Sequence, residues 1–385
     1  MISPGTTPAS TTSTSTNTSA TNKPPAGPPP PRLSRAAFLR LLGAGVAAAS
    51  LNLARSGPPG ERPAARIQPI RGSWISIWWD DRRHLYWNDT CRNYTAQQWR
   101  QAVREVAELG MEYLVLLAIA KGGQAFYTTP LLPKLELACA DPLEALLAAA
   151  DKYGVKFFLS SDWFGPWDHQ CLHDPARVRA RFQMMSEIAR QYSHHRSFHG
   201  WYWPNEAALG PYFTDEFIAY VNACSREARR LTPRARTLIA PYGTHRAVND
   251  DRFVRQLEQL EVDIIAYQDE VGCRRMNPSQ SAAAFEKLRQ AHHRVPQRAL
   301  WADVETFAWE GPPNQQSSPL IPAPFSRVKE QLAAVSPFVD TILIYQYQGL
   351  MNKPGSKAFA GHPDSTQLYT DYRRWWRKHA RKTPP

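Results

Sequence analysis

Eight successive copies of one unit predict an α/β fold, a single-domain (β/α)8 TIM barrel. Each unit is a short apolar run of β-forming residues, a polar or aromatic loop, and an amphipathic segment often closed by Gly or Pro. An open doubly wound sheet alternates in the same way. Against it, no Gly-x-Gly-x-x-Gly follows the first strand, where Trp78-Trp-Asp-Asp-Arg82 stands instead. The residues closing the apolar runs are carboxylates, amides and aromatics, as expected where eight C-terminal strand ends converge on one open face.

The strands are predicted at 72–79, 112–120, 155–162, 199–206, 236–243, 262–269, 299–305 and 341–347. The helices are predicted near 95–109, 141–153, 174–194, 214–231, 250–260, 281–293, 325–336 and 365–381. Thr95, Asp141-Pro142, Asp174-Pro175 and Thr214 supply N-caps or first-turn prolines, and Gly110 and Gly154 stop helices just before the next strand. The barrel domain therefore occupies 71–381. Ahead of it, residues 1–31 are rich in Ser, Thr, Pro, Gly and Ala, too poor in apolar groups to offset ordering entropy, and are expected to be a disordered leader. Residues 56–70 form a Pro/Gly/Arg-rich linker.

The chain of 385 residues carries a net charge of +12, but the excess sits at its ends. Residues 1–55 hold five bases and no acid, and 371–385 hold six bases and one acid, which leaves 35 bases against 33 acids in between. Nucleic-acid binding needs positive charge gathered on the working face, so no nucleic-acid partner is expected. Five cysteines are too few and too irregular for a disulfide framework or a four-cysteine zinc site. Cys224 shares a helical face with Phe217, Val221, Ala228 and Leu231 and is expected to be a core thiol. Cys91, Cys139, Cys171 and Cys273 fall in loops at one end of the barrel, where a disulfide is open to them in an oxidising compartment.

Trp201-Tyr-Trp-Pro-Asn-Glu206 is the stretch on which function turns. Read strand by strand, the C-terminal ends carry Asp80/Asp81, Lys121, Asp162-Trp163, Asn205-Glu206, Tyr242, Tyr267-Gln268-Asp269-Glu270, Asp303/Glu305 and Tyr345-Gln-Tyr347. Trp78, Trp79, Trp203, Trp301 and Trp309 stand in the same strands or loops. Aromatic faces stack on the C–H faces of sugar rings while carboxylates and amides take the hydroxyls, so the mixture suits a carbohydrate cleft. Hydrolysing a glycosidic bond requires two carboxyls flanking the anomeric carbon, one protonated and one ionised. Glu206 and Glu305 are the expected pair. Asp269 joins them either as a group that tunes the pair or as the base of an inverting arrangement. Substrate contacts are expected from Asn205, Trp78, Trp79, Asp162, Trp163, Trp203, Tyr242, Tyr267, Gln268, Trp301 and Tyr345. Each has a packing alternative, because strand side chains alternate and about half of the strand tryptophans must face outward under the helices.

Asn205-Glu206 on strand four and Glu305 on strand seven, within Leu300-Trp-Ala-Asp-Val-Glu305-Thr-Phe, resemble the acid/base and nucleophile of the clan of retaining glycoside hydrolases built on such barrels. Together with Gln268-Asp-Glu-Val-Gly272, these motifs are similar to those of secreted bacterial barrels grouped as a domain of unknown function and described as glycosidase-like. The likeness spans about residues 71 to 370. It implies an exported glycoside hydrolase acting on a polysaccharide or oligosaccharide, without cofactor. The reading from another class is a degenerate, non-catalytic carbohydrate-binding barrel serving a cell-surface or exopolysaccharide system.

Other chemistries fit less well. His169-x-x-x-His173 with Asp168 and Cys171 lacks a second ligand cluster, and no metal site is expected. His194-His195 and His292-His293 close helices, where histidine suits the negative end of the dipole. There is no Gly-x-Ser-x-Gly elbow, and the loop after strand seven lacks the glycine pair that exposes backbone amides to a phosphate.

Two terminal features complete the expectation. Ser34-Arg-Ala-Ala-Phe-Leu-Arg40 before the apolar run 41–53 resembles a twin-arginine export signal with Ala36 in place of the second arginine. The run is too short for a comfortable membrane span, so 32–55 is read as an export signal and the location as periplasmic or secreted. In the last helix, Tyr372-Arg-Arg-Trp-Trp-Arg-Lys admits two readings: a basic face touching anionic lipid or polysaccharide, or a barrel-wall helix whose Leu368, Tyr372 and Trp375 or Trp376 pack inward.

Overall fold

The computed structural model describes residues 66–78, 86, 89–162, 172, 174–313 and 318–379. The leader, the export signal, most of the linker, Asp80/Asp81, Trp79, Trp163, Cys171 and the 168–173 histidine motif lie outside these residues. In chain order the elements are β1 (Gly72–Ile75), α1 (Ala96–Glu108), β2 (Tyr113–Leu116), α2 (Pro142–Tyr153), β3 (Lys156–Ser160), α3 (Pro175–Tyr192), β4 (Phe198–Tyr202) and α4 (Asp215–Leu231). The second half continues with β5 (Arg236–Ile239), α5 (Asp251–Gln259), β6 (Ile264–Gln268), α6 (Pro278–His293), β7 (Ala299–Glu305), α7 (Phe325–Val335), β8 (Thr341–Tyr345) and α8 (Ser365–His379). The eight strands pair in parallel with their sequence neighbours, and β1 closes on β8 through Gly72↔Leu343. The predicted barrel is the observed one.

Local chemistry explains the boundaries. Thr95 caps α1 through a reciprocal box with Gln98, Asp141 caps α2 ahead of Pro142, and Gly154 ends α2 at φ 71°, a left-handed turn that costs glycine least. Asn277 and Gln280 form a second box that starts α6 at Pro278, earlier than the expected 281. Several strands stop short of their predicted ends. In β4 the ladder closes with the Trp203 N–H donating to the Leu238 carbonyl, and Pro204 then has no N–H to continue it. The residues that carry chemistry thus project from the rim just beyond the ladder.

Two apolar layers form the core. Trp99, Val103, Leu146, Met184, Trp201, Trp203, Phe285 and Tyr372 belong to the layer between barrel and helices. Trp74, Val115, Phe158, Tyr202, Leu238, Ala266, Trp301 and Leu343 fill the barrel. Trp301 lies against Tyr113 and Phe158, with ring centroids 4.9 and 6.2 Å away. Gly200 makes room for this layer, since a Cβ there would stand 2.7 Å from the Phe158 ring. The sequence did not reveal two antiparallel hairpins, 120–121 with 124–125 and 307–309 with 320–322, inserted after β2 and β7.

Candidate active site

Strand alternation decides which residues reach the barrel mouth. On β7, Trp301, Asp303 and Glu305 face inward in ascending layers, while Leu300, Ala302 and Val304 pack under the helices. On β4, Tyr202 faces inward and Trp201 and Trp203 face outward. At the rim a cleft of ≈ 260 Å³ is lined by Trp74, Leu117, Glu206, Gln268, Asp303, Glu305 and Tyr345, with Phe307, Trp309 and Leu320 from the hairpin after β7. Glu206 and Glu305, predicted at the ends of the fourth and seventh strands, share this cleft.

Glu206 is half-buried, and desolvation pushes its carboxyl up to about 7, partly offset by a hydrogen bond from the Gln268 side chain. It is therefore largely protonated below neutral pH and about half protonated near pH 7. Glu305 is 5% exposed, and its Oε2 accepts the Cys273 N–H at 2.7 Å. Burial first, and then the neighbouring Asp269 carboxyl, push it well above the usual carboxylate range, while the Cys273 N–H pulls the other way. Gly272 lets the loop after β6 come this close, because a Cβ there would stand 2.7 Å from Glu305 Cβ and 2.9 Å from the Phe307 carbonyl.

Asp269 does not open into the cleft. It is fully buried, with Oδ1 accepting the Glu305 N–H at 3.0 Å and Oδ2 accepting Gln331 Nε2 at 2.7 Å. Its own N–H donates to the Asp303 carbonyl at 2.9 Å, so it ties the end of β6 to the end of β7. Of the three carboxyls expected to act together, Glu206 and Glu305 line the cleft and Asp269 stands behind Glu305. Its neighbour Glu270, held at φ 53°, accepts the backbone N–H groups of Gly243 and His245, both at 2.9 Å, and anchors the loop after β5.

The expected substrate contacts divide. Gln268 and Tyr345 line the cleft. Trp203 is buried beneath α4, its Nε1 donating to Ser225 Oγ at 3.2 Å. Tyr267 is buried beneath α6, its hydroxyl 3.1 Å from His292 Nε2. Trp301 plugs the barrel below the cleft. Asn205 is buried against the Tyr220 side chain of α4. Asp162 forms a buried ion pair with Arg181 of α3, whose guanidinium also sits 4.8 Å from the Tyr220 ring. Trp78 and Tyr242 lie half-buried outside the lining, under Lys121 at 4.5 Å and Arg275 at 5.7 Å respectively. Trp203, Tyr267 and Trp301 are thus corrected to packing positions, Asn205, Asp162, Trp78 and Tyr242 stand outside the cleft's lining, and Trp79 and Trp163 lie outside the described residues. Conversely, Trp74 lines the cleft without having been singled out, and Asp303, named among the strand ends without a role, lines it by the same alternation as Glu305.

Cys91, Cys139 and Cys224 are free thiols, so the disulfide that was open to the loop cysteines does not form at Cys91 or Cys139. Among the described residues, Glu144, His194 and His195 bring three metal-ligating atoms within 4.8 Å of one another. Both His195 ring nitrogens are already taken there, by Asp151 at 2.8 Å and Glu144 at 2.9 Å, at the N-terminal end of the barrel.

Fold and site together define a glycosidase-like (β/α)8 barrel with a carboxyl-bearing, aromatic-walled cleft at the C-terminal strand ends. The chain belongs to the family described as domain of unknown function DUF4434, whose pattern matches residues 70–358. No curated protein matches it. Solved structures of similar fold include a candidate alpha-L-fucosidase from Bacteroides thetaiotaomicron VPI-5482, with a TM-score of 0.62 and 16% identity over 87% of this chain and 99% of that one. They also include the endo-1,4-beta-D-mannanase of Thermotoga petrophila RKU-1, with a TM-score of 0.52 and 10% identity over 81% of this chain and 100% of that one.

Proposed function

We propose that the chain is an exported glycoside hydrolase acting on a polysaccharide or glycan, with Glu206 as general acid/base and Glu305 as nucleophile of a retaining mechanism. One observation carries the reading: two carboxyls, delivered by the ends of β4 and β7, line a single aromatic-walled cleft, and burial keeps Glu206 protonated to about pH 7. Likeness of fold to glycoside hydrolases supports it at the level of architecture.

In the first step Glu206 donates its proton to the glycosidic oxygen as the C–O bond breaks, and a Glu305 oxygen attacks the anomeric carbon to form an ester. In the second, the Glu206 carboxylate takes a proton from water, the water oxygen attacks the same carbon, and the ester breaks to restore the Glu305 carboxylate. Glu305 has to be ionised to attack. The Cys273 N–H stabilises that anion, and the positive charge developing on the sugar ring lowers its cost further. A second reading, a non-catalytic carbohydrate-binding barrel, draws on the same residue, because burial and the Asp269 carboxyl favour the protonated, non-nucleophilic form of Glu305.

Incubating the purified protein with a panel of bacterial and plant glycans separates the two readings. New reducing ends whose anomeric configuration, followed by NMR, matches the substrate's are the expected result. Glu305→Ala should abolish turnover, and added azide should yield a glycosyl azide of inverted configuration. Inverted products from the unmutated enzyme would remove Glu305 as nucleophile. Binding without any cleavage would leave the non-catalytic reading.

A further inference from the structure

Asp303 is the deepest polar group of the cleft and the mechanism leaves it unused. It lies one inward-facing layer below Glu305, is 3% exposed, and its Oδ1 has no hydrogen-bond partner. The Tyr202 hydroxyl, buried in the same layer, is likewise without a hydrogen-bond partner. Around Asp303 stand Glu206 from the end of β4, Asp269 from β6, Glu305 above it, and the rings of Trp74, Tyr202 and Tyr345. Among the described residues no lysine, arginine or histidine lines the cleft. Arg327 reaches the cluster from α7, where its Nη2 hydrogen-bonds the Glu305 carbonyl at 3.1 Å.

A buried carboxyl with an unmatched oxygen, facing more carboxyls and aromatic rings, favours a cationic ligand over an anionic one. A uronic acid would bury a further carboxylate among these groups with no cation lining the cleft, and an acetamido group or a hydroxyl brings no charge. A protonated amine supplies three donors for the open carboxyl oxygens, and aromatic faces attract it as well. Resting on the reading of this cleft as a glycan site, we propose that Asp303, with Glu206 beside it, binds the free ammonium group of an amino sugar, and that the substrate is a glycan containing amino sugars that are not N-acetylated.

Burial, and then repulsion from Glu206 and Asp269, favour the protonated form of Asp303, while the Trp74 side chain pulls the other way. An incoming ammonium reverses that preference, so binding should expel a proton from the carboxyl.

Calorimetric titration of the full chain with gluco-, galacto- and manno-configured oligosaccharides tests this, each in free-amine, N-acetylated and hydroxyl form. At least one free-amine oligosaccharide should bind about tenfold or more tighter than both of its counterparts. Heats in buffers of different ionisation enthalpy should report proton release for that ligand alone. Asp303→Asn, nearly isosteric, should cut the preference to under about threefold and abolish the release. Equal or tighter binding of the hydroxyl or N-acetyl forms, or no binding of any free-amine form, overturns the proposal. That comparison uses the unmutated protein and stands even if the variant does not fold. Cleavage of neutral glycans with no amine preference would overturn the proposal and leave the hydrolase reading intact. Amine-selective binding without cleavage of any glycan would do the reverse.

Discussion

Glu206 can act as an acid only while it holds its proton, and burial in the cleft extends that condition to about pH 7. The kcat/KM profile should therefore fall as pH rises through about 7. Glu206→Gln should lower the rate on the order of 10²–10⁴-fold, least for substrates with good leaving groups, and remove that limb. The same shift has a stability sign. A carboxyl whose folded pKa is raised binds more protons folded than unfolded, so it lowers stability as pH climbs from about 4.5 to about 7. Glu206→Gln should then raise stability above pH 7 by about 1–2 kcal/mol, less than the full shift because the side chain opens to water, and leave it unchanged below pH 4. Thermal unfolding at both pH values would check this. Asp269 acts through Glu305, whose N–H it accepts. Asp269→Asn should lower kcat by roughly tenfold to a hundredfold, with KM and product anomer unchanged. If Asp269→Asn were the only inactivating change, with inverted products from the unmutated enzyme, Asp269 would instead be the base of an inverting reaction.

At the level of the element, two tryptophans of similar appearance in the sequence do opposite work. Trp203 lies on the outward face of β4, stacked at 6.3 Å on Trp201 and bonded to Ser225 of α4. Trp309 lies on the hairpin after β7 and lines the cleft. Trp203→Ala should cost about 3–5 kcal/mol in denaturant unfolding and spare KM, whereas Trp309→Ala should raise KM and cost much less stability. If Trp203→Ala instead weakened glycan binding in a fully folded protein, the outward placement would be wrong. The hairpin also shows why the loop after β7 is long: its apolar faces at Phe307 and Leu320 complete a wall that the barrel strands alone do not provide.

Over the whole molecule, α8 resolves the two readings of the basic C-terminal segment as far as its tryptophans are concerned. Leu368, Tyr369, Tyr372 and Trp375 are buried against the barrel, and Trp376 packs beside Gly110. Both aromatic side chains that could have inserted into a lipid surface are engaged in packing, and Arg374, Arg377 and Lys378 remain on the solvent side. No helix among the described residues is long and apolar enough to cross a membrane. We propose, from the segment 32–55, that the chain is exported and that its mature form begins between about residues 48 and 66. Mass spectrometry of the periplasmic or secreted protein would check the position, and a cytoplasmic protein retaining residues 32–55 would refute it.

Local chemistry was enough to read the architecture. Capping residues, terminal glycines and eight apolar runs depend on neighbours a few residues away, so the order and near-boundaries of all eight strands and eight helices follow from the chain itself. Glu206 and Glu305 were legible for a related reason: a parallel barrel sends every C-terminal strand end to the same rim. Which side of the strand a residue faces was legible only in part. Alternation counted back from Glu305 already places Asp303 inward, but it does not tell Trp301, sealed in the layer below, from a residue that meets a ligand. Alternation carries on past the last ladder bond, turning Asn205 toward Tyr220 of α4 and Glu206 into the cleft. The retreat of Asp269 behind Glu305, the buried pairing of Asp162 with Arg181, and the raised carboxyls of the cleft were decided by tertiary structure alone. Desolvation and hydrogen bonding depend on side chains 19 residues away for Asp162 and 62 for Gln331 against Asp269, and only the closed barrel brings these together.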